Sequence, residues 1–174
     1  MRNSESSAEP TTIRLLFVCT GNTCRSPMAQ VLAMGRGPAP GGVRIEARSA
    51  GTHTRNGLPA SEGARLAALR HGYSLETHES SELSEELVEW ADRVLAMTPS
   101  HLHQVHLLGG QSKAELLGSY AAVAENADGR EAGGVPPSVP DPFGGDDQVY
   151  EETFLALEGH VHAAVERLLK EIAG

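Results

Sequence analysis

Apolar residues in this chain fall into two kinds of run. The first is short and continuous. IRLLFVC (13–19), bounded by a turn that contains glycine, reads as a strand buried on both faces. RIEARSAG (44–51) and RVLAMT (93–98) read as a second and third strand, and KAELLGSY (113–120) contains a fourth. The second kind recurs every three or four residues. Tyr150, Phe154, Leu157, Val161, Val165, Leu168 and Ile172 lie on one stripe and predict a long amphipathic helix that closes the domain.

Shorter helices are expected between the strands. MAQVLAM (28–34) keeps helical spacing behind Ser26-Pro27, a hydroxyl suited to capping and a proline suited to the first helical position. PASEGARLAALRHG (59–72) ends on a glycine, and SEELVEWADR (84–93) starts with Ser84 as cap and two acids in its first turn. Asp146 and Asp147 suit the cap of the last helix. Strands that alternate with helices predict an α/β fold, a doubly wound parallel sheet of four strands with helices on both faces. Residues 1–12 read as a disordered tail, 13–174 as one domain, and AENADGREAGGVPPSVP (124–140) as a long loop.

Composition narrows the partners. A net charge of −9 and a pI near 5.3 disfavour nucleic acid and anionic membranes. No apolar run approaches the ~18 residues of a membrane span. The stretch MRNSESSAEPTT lacks the apolar core of a signal peptide. Only two cysteines are present, too close for an ordinary structural staple, so a reducing cytoplasm is the expected setting.

Both cysteines lie in VCTGNTCRSPMA (18–29), at the end of the first strand. In such sheets ligands bind at the carboxyl ends of strands. The turn TGNTCR leads into a helix, so its backbone amides and the helix dipole are suited to an anion. Thr20, Gly21, Asn22, Thr23 and Cys24 are the expected cradle, with Gly21 admitting tight geometry and Asn22 a left-handed backbone. The same field favours a thiolate on Cys19. Arg25 completes a C-x5-R pattern and can fork onto two oxygens of a tetrahedral dianion. Ser26 can donate to the sulfur. This set describes in-line attack on a phosphoryl group, without a metal.

VCTGNTCRSPMA resembles the signature of the low-molecular-weight protein tyrosine phosphatase family, which includes bacterial protein-arginine phosphatases. RSAGT, HGYSLETHESSEL, ADRVLAMT, ELLGSY and DPFGG resemble further family segments, in order. The resemblance implies a flavodoxin-like sheet and a cysteinyl-phosphate intermediate, with Cys19 as nucleophile, Arg25 as clamp and Ser26 as the hydroxyl that lowers the thiol pKa. It implies Asn22 as the residue that orders the loop, supported by Ser49 and His78. It makes Asp141, in VPDPFGG, the general acid, although an Asp-Pro pair alone is only a turn signal. It implies a reversible Cys19–Cys24 disulfide that protects the nucleophile from over-oxidation. A phosphorylated protein is then the substrate and inorganic phosphate the product, with no cofactor, in a monomeric enzyme.

Position 23 bears on the substrate. Tyrosine-directed relatives usually carry an apolar residue there, whereas Thr23 resembles the arginine-directed members. Phe143 is the single aromatic after Asp-Pro, followed by Gly144 and Gly145, where tyrosine-directed members often place adjacent aromatics. These features favour phosphoarginine, with phosphotyrosine as the alternative. An arsenate reductase would need further cysteines to relay a disulfide. A non-catalytic anion sensor would not need Asp141. HLHQVH (101–106) holds three histidines in six residues, at a spacing that suits no metal site, and reads as a solvated helix or loop.

Overall fold

A computed structural model of the chain describes residues 9–125 and 138–174. The four strands are β1 (Thr12–Cys19), β2 (Arg44–Gly51), β3 (Arg93–Ala96) and β4 (Ala114–Leu116). They form one parallel sheet in the order β2-β1-β3-β4. The helices are α1 (Arg25–Met34), α2 (Glu62–Arg70), α3 (Glu85–Trp90), α4 (Pro99–Leu107), α5 (Leu117–Glu125) and α6 (Asp147–Ala173). Because β1 lies between β2 and β3, chain direction across the sheet reverses at its carboxyl end. That end is the crevice where an open α/β sheet receives its ligand.

Alternation along β1 builds the two cores. Ile13, Leu15 and Phe17 face Met28 and Leu32 of α1 and Phe154, Leu157 and Val161 of α6. Leu16 and Val18 face Val88 of α3 and Val105 of α4. Each such side chain stabilises the fold by about 1.5–3 kcal/mol through burial. This is the doubly wound, flavodoxin-like arrangement of the sequence reading.

Several boundaries differ from those the pattern predicts. Residues 1–8 of the expected tail lie outside the described residues, but Thr12 is paired with Arg44 and Thr11 O accepts from Arg44 N at 2.8 Å. Sheet pairing therefore starts before the apolar run. The predicted helices at 59–72 and 84–93 shorten to α2 and α3, capped by Ser61 and Ser84. The stretch 113–120 divides into the three-residue β4 and the start of α5. Of the predicted loop, residues 126–137 lie outside the described residues, while α5 extends to Glu125. Asp146 caps α6 by accepting from Val149 N.

Candidate active site

The turn between β1 and α1 is held from outside by its own carbonyls. Those of Cys19, Thr20 and Thr23 accept from Thr52, His53 and Ser61 at 2.9 Å each. The carbonyl of Asn22 bonds to His78 Nε2 at 2.7 Å. Among the described residues, no backbone carbonyl takes the amides of Gly21 through Cys24. Apart from the Asn22 amide, which faces the Cys19 sulfur, the amides are thus the uncommitted half of the turn, which is what an anion cradle requires.

Asn22 orders this turn in two ways. Its backbone is left-handed, with φ 55, the one non-glycine position of that kind among the described residues. Its buried side chain accepts from Ser81 N at 2.8 Å, which fixes the amide orientation and turns Nδ2 toward Ser26 Oγ, also at 2.8 Å. Ser26 Oγ lies 2.8 Å from Cys19 Sγ. With Asn22 donating to the serine oxygen, the serine hydrogen is available to the sulfur. Burial nevertheless pushes the Cys19 thiol up; the Ser26 hydroxyl, the Ser26 amide, Arg25 and the Asn22 amide pull it down. Cys19 is 2% exposed, so desolvation of its thiolate opposes the stabilisation that these donors provide.

Ser26 does not cap α1. The cap position is Cys24, without a side-chain cap bond, and α1 begins at Arg25, so Pro27 is the third helical residue and not the first. Arg25 is buried, with Nη1 donating to Val139 O at 3.0 Å, Nη2 to Thr20 Oγ1 at 3.4 Å, and Nη2 3.5 Å from Asp141 Oδ2. The residues after the long loop therefore rest directly on the arginine. Asp141 Oδ1 also accepts from Phe143 N at 3.1 Å, and the carboxylate is 51% exposed. A cavity of about 220 Å³ is lined by Cys19, Thr20, Gly21, Thr23, Cys24, Arg25, Asp141 and Phe143. The structure thus brings two cysteines, one guanidinium, one carboxylate and two threonines to a single small pocket.

Two supporting expectations are corrected. Ser49 does not reach Asn22; its hydroxyl donates to Gln30 Oε1 at 2.6 Å, because that face of β2 packs on α1. Ser81 takes the place expected of it. A Cβ on Gly21 would make only an ordinary 3.5 Å contact with Thr23 Oγ1. The close approach is instead at Gly51, where a Cβ would lie 2.6 Å from Thr20 O and 3.0 Å from Asn22 N.

Cys24, a buried free thiol like Cys19, has Sγ 3.2 Å from Ser61 Oγ and 3.5 Å from the Tyr150 hydroxyl. Neither partner stands out in the sequence, since Ser61 looks like a helix cap and Tyr150 like core. The histidine cluster is also not uniformly solvated. His101 is 3% exposed and bonds to Thr20 Oγ1, while His103 is exposed. A partner 81 residues away leaves no local signal.

Comparison with known proteins agrees with this geometry. The family model for low molecular weight phosphotyrosine protein phosphatases matches residues 14–173. The chain belongs to this family. A protein-arginine-phosphatase of Geobacillus stearothermophilus is 35% identical over 158 residues, covering 91% of this chain and 97% of that protein. The solved YwlE arginine phosphatase from the same organism superposes with a TM-score of 0.77 at 34% identity, covering 91% of this chain and 94% of that one. The low molecular weight protein-tyrosine-phosphatase Etp of Escherichia coli K12 is 33% identical over 146 residues, 83% of this chain and 86% of that protein. The chain is a protein phosphatase, and no helix among its described residues is long and apolar enough to cross a membrane.

Proposed function

We propose that this phosphatase hydrolyses phosphoarginine side chains of proteins through a phosphoryl-cysteine at Cys19. The observation that carries the substrate is that the Thr23 hydroxyl and the Asp141 carboxylate both line the cavity around Cys19. Each can hydrogen-bond a guanidinium, whereas a branched apolar residue at position 23 would favour an aromatic ring. Phe143, 78% exposed at the same rim, can stack on a planar guanidinium. The relatives named protein-arginine-phosphatase support the same reading.

The Cys19 thiolate attacks phosphorus, and the bond to the guanidino nitrogen breaks. Arg25 and the turn amides hold the equatorial oxygens during transfer. Asp141 gives its proton to the departing nitrogen. Its carboxylate then takes a proton from water, which attacks the cysteinyl phosphate, and inorganic phosphate and the Cys19 thiolate are released. Arg25 must exchange its resting contact with Asp141 for the phosphoryl oxygens, and this frees the acid. Peroxide can convert Cys19 to a sulfenic acid. Attack by the Cys24 thiolate then expels hydroxide, which leaves as water, and forms a disulfide that a thiol reductant reverses. Such an enzyme suits a reducing cytoplasm and is complete as a monomer, since one chain supplies the whole pocket.

Phosphate release from matched phosphoarginine and phosphotyrosine peptides tests the reading, with Cys19→Ser as the inactive control. The parent should prefer phosphoarginine, and Thr23→Ile should erode that preference by about tenfold. Preference for phosphotyrosine in the parent would remove the substrate assignment and leave the cysteine mechanism.

A further inference from the structure

We propose that His101 is a positioning residue of the phosphate site, which by holding Thr20 Oγ1 makes the threonine hydroxyl a donor to a phosphoryl oxygen and fixes the Nη2 edge of Arg25. The inference rests on the reading of the pocket as a phosphoryl site.

His101 is in the first turn of α4, on the opposite side of the sheet from α1. Its Nε2 is 2.8 Å from Thr20 Oγ1, and its Nδ1 is 3.0 Å from Thr98 Oγ1. Thr98 occupies the cap position of α4 but makes no side-chain cap bond. Its hydroxyl is spent on the imidazole and on Ser100 Oγ, 3.1 Å away. A hydrogen-bonded chain thus runs Ser100–Thr98–His101–Thr20, and Arg25 Nη2 joins it at Thr20.

Counting hydrogens decides what this chain does. Thr20 Oγ1 has one hydrogen and two lone pairs, and Arg25 donates to one of the pairs. If Nε2 carries a hydrogen, it fills the second pair, and the Thr20 hydrogen is left for the pocket that this residue lines. If Nε2 is bare, the Thr20 hydrogen is consumed by the ring and the pocket loses a donor. A dianion in the pocket selects the first arrangement, in which each hydroxyl and the imidazole donate inward. With the pocket empty the ring is neutral. Burial first, then Arg25, with a smaller push from His53, holds it at about 4 against the opposing Asp141.

Four variants test this: His101→Phe, His101→Gln, Thr20→Val and the double variant Thr20→Val with His101→Phe. The readouts are kcat/KM on an aryl phosphate and inhibition by inorganic phosphate and orthovanadate. His101→Phe and Thr20→Val should each weaken phosphate inhibition and kcat/KM by about five- to tenfold. The double variant should be no worse than either single one, because both break one chain. His101→Gln, which keeps an amide N–H near the Nε2 position, should recover most of the loss. Additive losses, or unchanged phosphate inhibition in Thr20→Val, would overturn the proposal. Should His101→Phe fail to fold, imidazole nitrogen shifts of the parent give an independent answer. With phosphate bound they must report hydrogen on Nε2; hydrogen on Nδ1 alone refutes it. If the parent is not inhibited by orthovanadate, or Cys19→Ser keeps activity, the phosphoryl-site reading itself fails first.

Discussion

The hydrogen of Ser26 has one useful destination. Asn22 Nδ2 already donates to the serine oxygen, and the sulfur of Cys19 lies 2.8 Å from it. Of the groups that lower the thiol, this hydroxyl acts most strongly against burial. Ser26→Ala should therefore raise the Cys19 pKa further and slow phosphoryl transfer at neutral pH by about ten- to a hundredfold, the worth of a hydrogen bond to a charged group. The pH dependence of alkylation by iodoacetamide measures the first effect directly, since only the thiolate reacts. An alkylation midpoint that stays in place or moves down would show that Ser26 does not set the thiol. Single residues also show what the sequence conceals. Cys19, Arg25 and Asp141 lie in recognisable local motifs. Ser81 and His101 meet the same site from loops and helices distant in the chain, and Ser49 faces α1 because of how β2 packs.

At the scale of elements, the apolar runs 13–19 and 93–98 became β1 and β3 because a parallel strand buried on both faces needs continuous apolar composition, whereas 44–51 became the edge strand β2, with Arg44 and Arg48 exposed. The stripe from Tyr150 to Leu168 became the buried face of α6 for the same reason at helical spacing. Element ends were less legible, because they depend on which tertiary partner takes a capping group. Ser26 is spent on a thiol, Thr98 on an imidazole, and α1 starts without a side-chain cap. The contact between β2 and the phosphate turn is equally non-local. Gly51 pairs with Cys19 and lets the turn backbone pass within the space of one methyl group. Gly51→Ala should force Thr20 and Asn22 outward, with a loss of about 1–3 kcal/mol and a phosphate affinity reduced at least tenfold. Urea unfolding with phosphate titration of the same variant checks both. A stable variant with parental phosphate affinity would mean that the turn yields freely.

At the scale of the molecule, the pocket joins parts that are separate in the chain: the end of β1, the start of α1, the start of α4 and the segment from Val139 to Phe143. Arg25 ties the first pair to the last through Val139 O, and His101 ties in α4. Folding must therefore desolvate an imidazole beside a guanidinium, and stability becomes linked to pH. His101 titrates at its ordinary 6.5 when unfolded and at about 4 when folded. Between these values the unfolded chain binds more protons, so the folded state loses stability as pH falls below 6.5 and keeps the full contribution above it. From pH 7.5 to 5.0 this amounts to about 2 kcal/mol. His78 is also lowered, chiefly by burial, and acts in the same direction, but it is present in parent and variant alike. In His101→Gln the drop between pH 7.5 and 5.0 should thus be smaller than in the parent by about 2 kcal/mol. Urea unfolding of the two proteins at both pH values measures this. Equal drops would mean that the imidazole titrates normally in the folded protein, and that α4 is joined to the phosphate site more loosely than the 2.8 Å contact with Thr20 requires.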